Sequence, residues 1–253
     1  AGSDSGGGAG IQADLRTFAA HGVWGTCAIT AITAQNTRQV LDQMVLPPSL
    51  VRSQLNAVLA DFPVGAAKTG MLGSAEVIAE VAAAMQESGI PLVVDPVLAS
   101  SQGVPLLQPG GLEALVVQLL PLAALATPNL PEAQALLGRP IRTRSEMPSA
   151  AEDLAALGPR AVLLKGGHLD APESPDLLWS DGGFVWLEGH RVEGPGLHGS
   201  GCVLSASICA HLARGEGLAQ ACAQAKRYVT ELMTNRADPG GRAPPGAPLS
   251  GLP

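Results

Sequence analysis

Short apolar runs alternate along this chain with longer stretches in which apolar residues recur every three or four positions. The first kind reads as buried strand and the second as amphipathic helix. Strands are expected at "CAITAIT" (27–33), "VGAAK" (64–68), "PLVVD" (91–95), "ALAT" (124–127) and "AVLLK" (161–165). "DLLWS" (176–180) and "FVWLEG" (184–189) flank "DGG" and predict a hairpin. Helices are expected over 11–20, 49–60, 75–88, 111–119, 131–137, 149–157, 201–214 and 217–236. Strand and helix in alternation imply βαβ units, a mostly parallel sheet and helices on both of its faces. No internal repeat or linker is visible, so residues 1–253 read as one domain, with a loose Pro- and Gly-rich tail over 236–253. The opening "AGSDSGGGAG" is a loop with no strand ahead of it, and the first strand, or most of it, is expected to lie outside this numbering.

Composition narrows the function classes. With 46% apolar residues, the chain can fill one large core. A net charge of -7 argues against a nucleic-acid partner, and 3% aromatic residues argue against a base-stacking platform. No apolar run reaches the roughly 20 residues of a membrane span, and no signal peptide is visible. Cys27, Cys202, Cys209 and Cys222 form no CxxC pair and lie in apolar runs, so they read as reduced thiols of a cytoplasmic protein.

Polar residues at the ends of apolar strands point to a ligand. Lys68, Lys165 and Asp95 each close such a strand. A charge there must be solvated or paired, because burying it alone is costly. Each taken singly can reach solvent or make a structural ion pair. Together they indicate one crevice of mixed charge, since open parallel sheets bind ligands outside the carboxyl ends of their strands. In "TPNLPEA" (127–133), Asn129 and Glu132 have the spacing of a capping box. Glu132 could equally face the crevice and hold Mg²⁺ through water.

Two glycine-rich loops remain. "GSDSGGGAGIQAD" contains Gly8-x-Gly10-x-x-Ala13, a loose dinucleotide fingerprint. The acid such a site needs after the next strand is missing, for Gln35 stands there. This loop therefore reads as a close-approach turn near some other ligand. "GPGLHGSGC" (194–202) runs straight into a helical pattern with Val203, Leu204, Ile208 and Leu212 on one side. Glycine N–H groups at a helix start are suited to an anion.

These stretches, in this order, resemble one family. "AGSDSGGGAGIQADLRTFAAHGVWG", "AITAQNT", "KTGML", "TPNLPEA", "LLKGGH" and "HGSGC" are similar to the signature stretches of hydroxymethylpyrimidine and phosphomethylpyrimidine kinases of thiamine biosynthesis, in the ribokinase-like superfamily. The likeness runs from Ala1 to about residue 235, although Leu197 replaces a common threonine and the tail lacks the family's ending. It implies a three-layer α/β/α ribokinase-like fold, ATP and Mg²⁺, and a homodimer. It also implies that Cys202 stands where related sugar kinases have a catalytic aspartate. By the same likeness Gln35 reads the aminopyrimidine edge, Gly2 lies against the ring and Met71 packs on it. Asp95 and Glu132 sit by the Mg²⁺ and phosphates, Lys165 contacts phosphate, and the N–H groups of Gly199, Ser200 and Gly201 make the anion hole. A thiol at a helix N-terminus above glycine N–H groups is expected to have its pKa lowered towards neutrality. Asp14 and His198 match family positions without an evident role. Two other readings stay open: a pyridoxal or pyridoxine kinase, and a ligand-binding protein that does no chemistry.

Overall fold

The protein is described from a computed structural model, which covers residues 1–36, 38–192 and 198–235. Four parallel strands form the centre: β4 (Ala67–Thr69), β5 (Leu92–Val94), β6 (Leu125–Ala126) and β7 (Ala161–Lys165). The hairpin β8 (Asp176–Ser180) and β9 (Gly183–Leu187) extends the sheet antiparallel, in the order β4-β5-β6-β7-β8-β9. Its turn is "DGG" as expected, with Asp181 and Gly182 at φ 50° and 75°, the paired positive angles of a tight hairpin. A smaller sheet holds β1 (Ser3–Asp4), β2 (Ala31–Gln35) and β3 (Val40–Val45), with β1 parallel and β3 antiparallel to β2. The helices are α1 (Gly10–Ala20), α2 (Pro48–Asp61), α3 (Ala75–Ser88), α4 (Gly111–Ala114), α5 (Leu130–Leu137), α6 (Met147–Ala155), α7 (Ser200–Ala213) and α8 (Leu218–Asn235).

Strand pleating makes three layers. Successive side chains point to opposite faces. Val94 joins a core with Val77, Ile78 and Leu115, whereas Val93 joins one with Ile208, Cys209 and Cys222. In β7, Leu163 packs on the α7–α8 side, and Val162 and Leu164 pack on Leu130, Met147 and Leu154 of α5 and α6. Both faces are thus apolar, which is why these strands read as unbroken hydrophobic runs. The helix caps follow from sequence. Ser74 accepts the Val77 N–H at 3.3 Å at the start of α3, and Gly89 ends it at φ 65°.

Three expectations shift. The run 27–33 forms a strand only from Ala31, which continues to Gln35. β3 was not expected, because it buries neither face: Leu41 and Met44 are each 66% exposed, so no period of two marks it. The stretch 111–119 is not one α-helix. It widens after Ala114 into a π-turn over Leu115–Leu119 and tightens at Leu120–Leu122, where Pro121 has no N–H to continue the ladder. Ahead of α1 lies the two-residue β1, paired to β2 at Ser3 and Ile32. Glu193 to Leu197 and the tail 236–253 fall outside the described residues.

Candidate active site at the strand ends

Parallel strands bring their carboxyl ends to one edge, so Asp95 after β5, Thr127 after β6 and Lys165 at the end of β7 become neighbours. Lys165 Nζ lies 2.9 Å from Asp95 Oδ1, to which the Thr127 hydroxyl also donates at 3.1 Å. From α7, the Ser205 hydroxyl donates to Oδ2 at 3.4 Å. Burial opposes the charge on Asp95, but Lys165 and then Lys68 outweigh it and hold the carboxyl below its ordinary value. Lys165 stays an ammonium because Asp95 and Glu132 outweigh its own burial. Removing either partner would strand a buried charge.

The start of α7 is pressed onto this pair. A Cβ on Gly201 would sit 3.4 Å from Lys165 Nζ and 3.6 Å from Asp95 Oδ2. Gly199 caps the helix at φ 81°, and a Cβ there would lie 2.0 Å from the Gly8 carbonyl oxygen. Glycine is therefore required for the loop before α7 to close on the first loop. The N–H groups of Ser200, Gly201 and Cys202 open a 14-residue helix at this point, beside an ammonium, an arrangement suited to an anion.

Both readings of Glu132 find support. It completes a capping box, accepting the Asn129 N–H at 2.8 Å while Asn129 Oδ1 accepts the Glu132 N–H at 2.9 Å. It is also buried within electrostatic reach of the ion pair. Burial pushes its pKa up to about 7, Asp95 adds to the rise and Lys165 opposes it. A buried carboxyl beside a second carboxylate is a fitting neighbour for Mg²⁺. Among the described residues no cluster of three or more His, Cys, Asp or Glu could cage a metal. Asp95 and Glu132 alone match an ion that keeps waters and takes its remaining oxygens from phosphate.

Cys202 corrects the sequence reading. Its pKa is not lowered towards neutrality but raised to about 11. Burial is the main cause; Lys68 opposes it, Asp14 and Asp95 add to it, and an N–H from Gly10 opposes it weakly. The helix terminus was weighed without the burial that the fold imposes on the sulfur, to which Asp14 and Asp95 add. Lys68, the third strand-end charge, pairs with Asp14 of α1 at 2.9 Å, with side chains 3% and 7% exposed. That pair gives Asp14 a partner the sequence did not show.

On the other side of the loop before α7 lies a polar cluster. Asp4 folds the first loop by accepting N–H groups of Gly6 (2.8 Å), Gly8 (3.1 Å) and Ala9 (2.9 Å). Its Oδ2 is also 3.2 Å from His198 Nε2, and His198 Nδ1 is 3.3 Å from the Ser101 hydroxyl. Burial opposes ionisation of Asp4, but His198 and the backbone N–H groups hold it below its ordinary value. Gln35 ends β2 with its backbone clamped by Ser5, whose hydroxyl donates to the Gln35 carbonyl at 2.8 Å, and its side chain meets His198 at 3.0 Å. Gly2 lies against Met71, whose sulfur is 3.0 Å from where a Cβ would be. Met71 is itself buried beside Ala31 and Leu106. Sequence reasoning missed Asp4 and Ser101 altogether; Asp4 was legible only as the acid inside "GSDSGGG", an Asx-type loop organiser.

A cavity of about 520 Å³ lies elsewhere. It is lined mainly by apolar side chains such as Leu15, Phe18, Val58 and Met85, with Asp14 and Lys68 at its wall, and excludes Asp95, Lys165, Glu132 and Gln35.

Comparisons with known proteins bear on the family and the fold. The family model described as phosphomethylpyrimidine kinase matches residues 4–246. A hydroxymethylpyrimidine/phosphomethylpyrimidine kinase of Rhizobium meliloti is 47% identical over 230 residues, covering 90% of this chain and 86% of that one. The thiamine biosynthesis bifunctional protein ThiED of Geobacter sulfurreducens is 46% identical over 96% of this chain, which spans about half (49%) of its length. Among solved structures, phosphomethylpyrimidine kinase from Clostridium difficile 630 is 42% identical with a TM-score of 0.80, covering 91% of this chain and 95% of that one. Pyridoxal kinase from Staphylococcus aureus, in complex with AMP-PCP and pyridoxal, is 36% identical with a TM-score of 0.85, covering 92% and 86%.

Proposed function

The chain belongs to the phosphomethylpyrimidine kinase family, and from that premise we propose that it uses ATP and Mg²⁺ to phosphorylate 4-amino-5-hydroxymethyl-2-methylpyrimidine, and then its monophosphate to the diphosphate, for thiamine biosynthesis. The observation that carries this reading is the start of α7 set against the Lys165–Asp95 pair at the strand ends. Phosphoryl transfer asks a protein chiefly for positioning and charge stabilisation. The N–H groups of Gly199, Ser200 and Gly201 and the Lys165 ammonium receive the phosphate charge. Asp95 holds Lys165 in place, and Asp95 with Glu132 would hold Mg²⁺. The ion, when bound, neutralises charge on the phosphate oxygens. Gln35, Gly2 and Met71 hold the ring.

The substrate hydroxyl oxygen bonds to the γ-phosphorus as the bond to the bridging oxygen breaks and ADP leaves. Cys202 takes the hydroxyl proton in its thiolate form. Because that form is scarce at neutral pH in the free protein, positioning carries the larger share of the rate, and the proton moves late. A coupled assay of ADP release with the pyrimidine alcohol and its monophosphate tests the reading. No turnover on either substrate overturns it.

A second reading is favoured by the close superposition on a pyridoxal kinase. Both rings carry a CH₂OH, and the ratio of kcat/KM for the two decides, since a site built to hydrogen-bond an exocyclic amine penalises its absence. Four free cysteines support a reducing, cytoplasmic setting. The exposed apolar side chains Ile32 (50%), Leu41 and Met44 on the small sheet support a homodimer through that sheet.

A further inference from the structure

The Gln35 side chain stands between two fixed groups. Its Nε2 faces His198 Nε2 at 3.0 Å, and its Oε1 faces the Thr33 hydroxyl at 3.3 Å. The two ends of a carboxamide have nearly the same shape, so their partners decide which end is oxygen. The partners here disagree with that orientation twice.

The first conflict is at His198. Its Nε2 is 3.2 Å from Asp4 Oδ2, and an ionised carboxylate only accepts, so Nε2 carries the proton. An N–H of His198 cannot accept from an N–H of Gln35. The second conflict is at Thr33. Its hydroxyl has one proton and two acceptors, the Ser3 carbonyl at 3.0 Å and Gln35 Oε1. Turning the amide by half a revolution removes both conflicts at once. The Gln35 carbonyl then accepts from His198 Nε2–H, and its NH₂ donates to Thr33, whose own proton goes to Ser3.

We propose that His198, held by Asp4 and Ser101, is a positioning residue that fixes the order of acceptor and donor along the Gln35 amide. The acceptor end faces His198 and the donor end faces Thr33. A ring edge bound by Gln35 must therefore bring a donor to the His198 side and an acceptor to the Thr33 side. A 4-aminopyrimidine edge does so, with its exocyclic amine and ring nitrogen. The 4-oxo analogue, a carbonyl beside a ring N–H, presents the opposite order. Discrimination between the two comes from this locked amide, because a glutamine free to turn serves either edge equally. This step rests on the pyrimidine reading above; the orientation of the amide does not.

The test separates the two. Long-range ¹H–¹⁵N spectra of the full chain, labelled on histidine, read the His198 tautomer without any ligand. A proton on Nε2 is expected; a neutral ring protonated only on Nδ1 overturns the proposal, whatever the substrate. Titration calorimetry and kcat/KM with the 4-amino and 4-oxo alcohols then compare wild type, His198→Leu and His198→Gln. Leucine removes the donor and should collapse the preference for the amino ring by about tenfold or more, with KM for ATP unchanged. Glutamine carries an N–H at the position of His198 Nε2, for Asp4 and for the Gln35 carbonyl, and should restore most of that preference. An unchanged ratio in His198→Leu refutes the lock, and equal loss for both rings reduces His198 to a structural role. If wild type binds neither ring, the pyrimidine reading fails and the tautomer still decides the amide.

Discussion

Glu132 offers a test in which stability and activity should move in opposite directions. It sits in a capping box, so replacement is expected to weaken α5; yet it is also buried, with its pKa raised from an ordinary 4.5 to about 7. The folded state therefore retains a proton that the unfolded chain loses at lower pH. Between pH 4.5 and 7 the native state binds more protons, so its stability falls as pH rises through that window. At about 1.4 kcal/mol per unit, the loss amounts to roughly 3 kcal/mol by pH 8. Glu132→Gln avoids this cost, because a neutral amide needs no ionisation, and its carbonyl can still accept the Asn129 N–H as the glutamate does. Urea denaturation should show the variant and wild type equally stable near pH 4.5, and the variant ~2–3 kcal/mol more stable at pH 8. Turnover with ATP and Mg²⁺ should meanwhile drop about 10²-fold, since a neutral amide cannot offer a charged oxygen to the cation. A variant that is equally destabilised at both pH values, or that remains fully active, would show that Glu132 is a helix cap and nothing more.

Cys202→Ala should lower kcat by about 10²–10⁴-fold with modest change in KM, and wild-type kcat should climb with a slope near one between pH 7 and 9, as a thiol of pKa about 11 begins to ionise; a flat profile removes the base assignment. Gln35→Leu should raise KM for the pyrimidine by about tenfold or more and leave KM for ATP alone, as read by initial rates. Lys165→Met strands Asp95 and should cost about 3–5 kcal/mol in denaturation, most of it recovered in the Asp95→Asn double variant, which stays inactive. Leu41→Glu should convert a dimer to monomer in light scattering while ADP release persists, and an unchanged mass removes the small sheet as the interface.

Legibility in the sequence followed burial. Strands β5, β6 and β7 and the helices between them showed their positions because each has a face, or two, against the core. The helix over 75–88 was readable to the residue, since Ser74 and Gly89 mark both ends. β3 was invisible because an exposed strand carries no hydrophobic period. The ends of buried strands revealed Lys165 and Asp95, as a charge there demands a partner. What the linear sequence did not carry was which charge meets which. Lys68 looked like Lys165, but α1 brings Asp14 to it. His198 had no partner in the sequence, because Asp4, Gln35 and Ser101 come from three separate stretches of chain, two strand ends and a turn. The Cys202 pKa failed for a related reason: the local motif contains the glycines and the helix start, while the burial of the sulfur, and after it the carboxylates of Asp14 and Asp95, arrive only with the fold.

The charges of the crevice form a closed set. Two ammoniums, Lys68 and Lys165, are each paired with a carboxylate, Asp14 and Asp95. Two further titratable groups remain, and each leans towards its neutral form: Glu132 at about 7 and Cys202 at about 11. The free site thus approaches electrical neutrality, which limits the desolvation cost of holding so many ionisable groups in one place. A polyphosphate brought to the start of α7 adds negative charge and raises both pKa values. A divalent cation reverses that effect for Glu132, which lies beside Asp95 and Lys165. For Cys202 the principal opposing charge is Lys68, and Asp14 already partners it. Beyond their burial, the two protons therefore answer to different charges, the carboxyl to Asp95 and Lys165 and the thiol to Lys68 and Asp14. The same buried pair that joins α1 to β4 thus modulates a thiol pKa that burial chiefly sets.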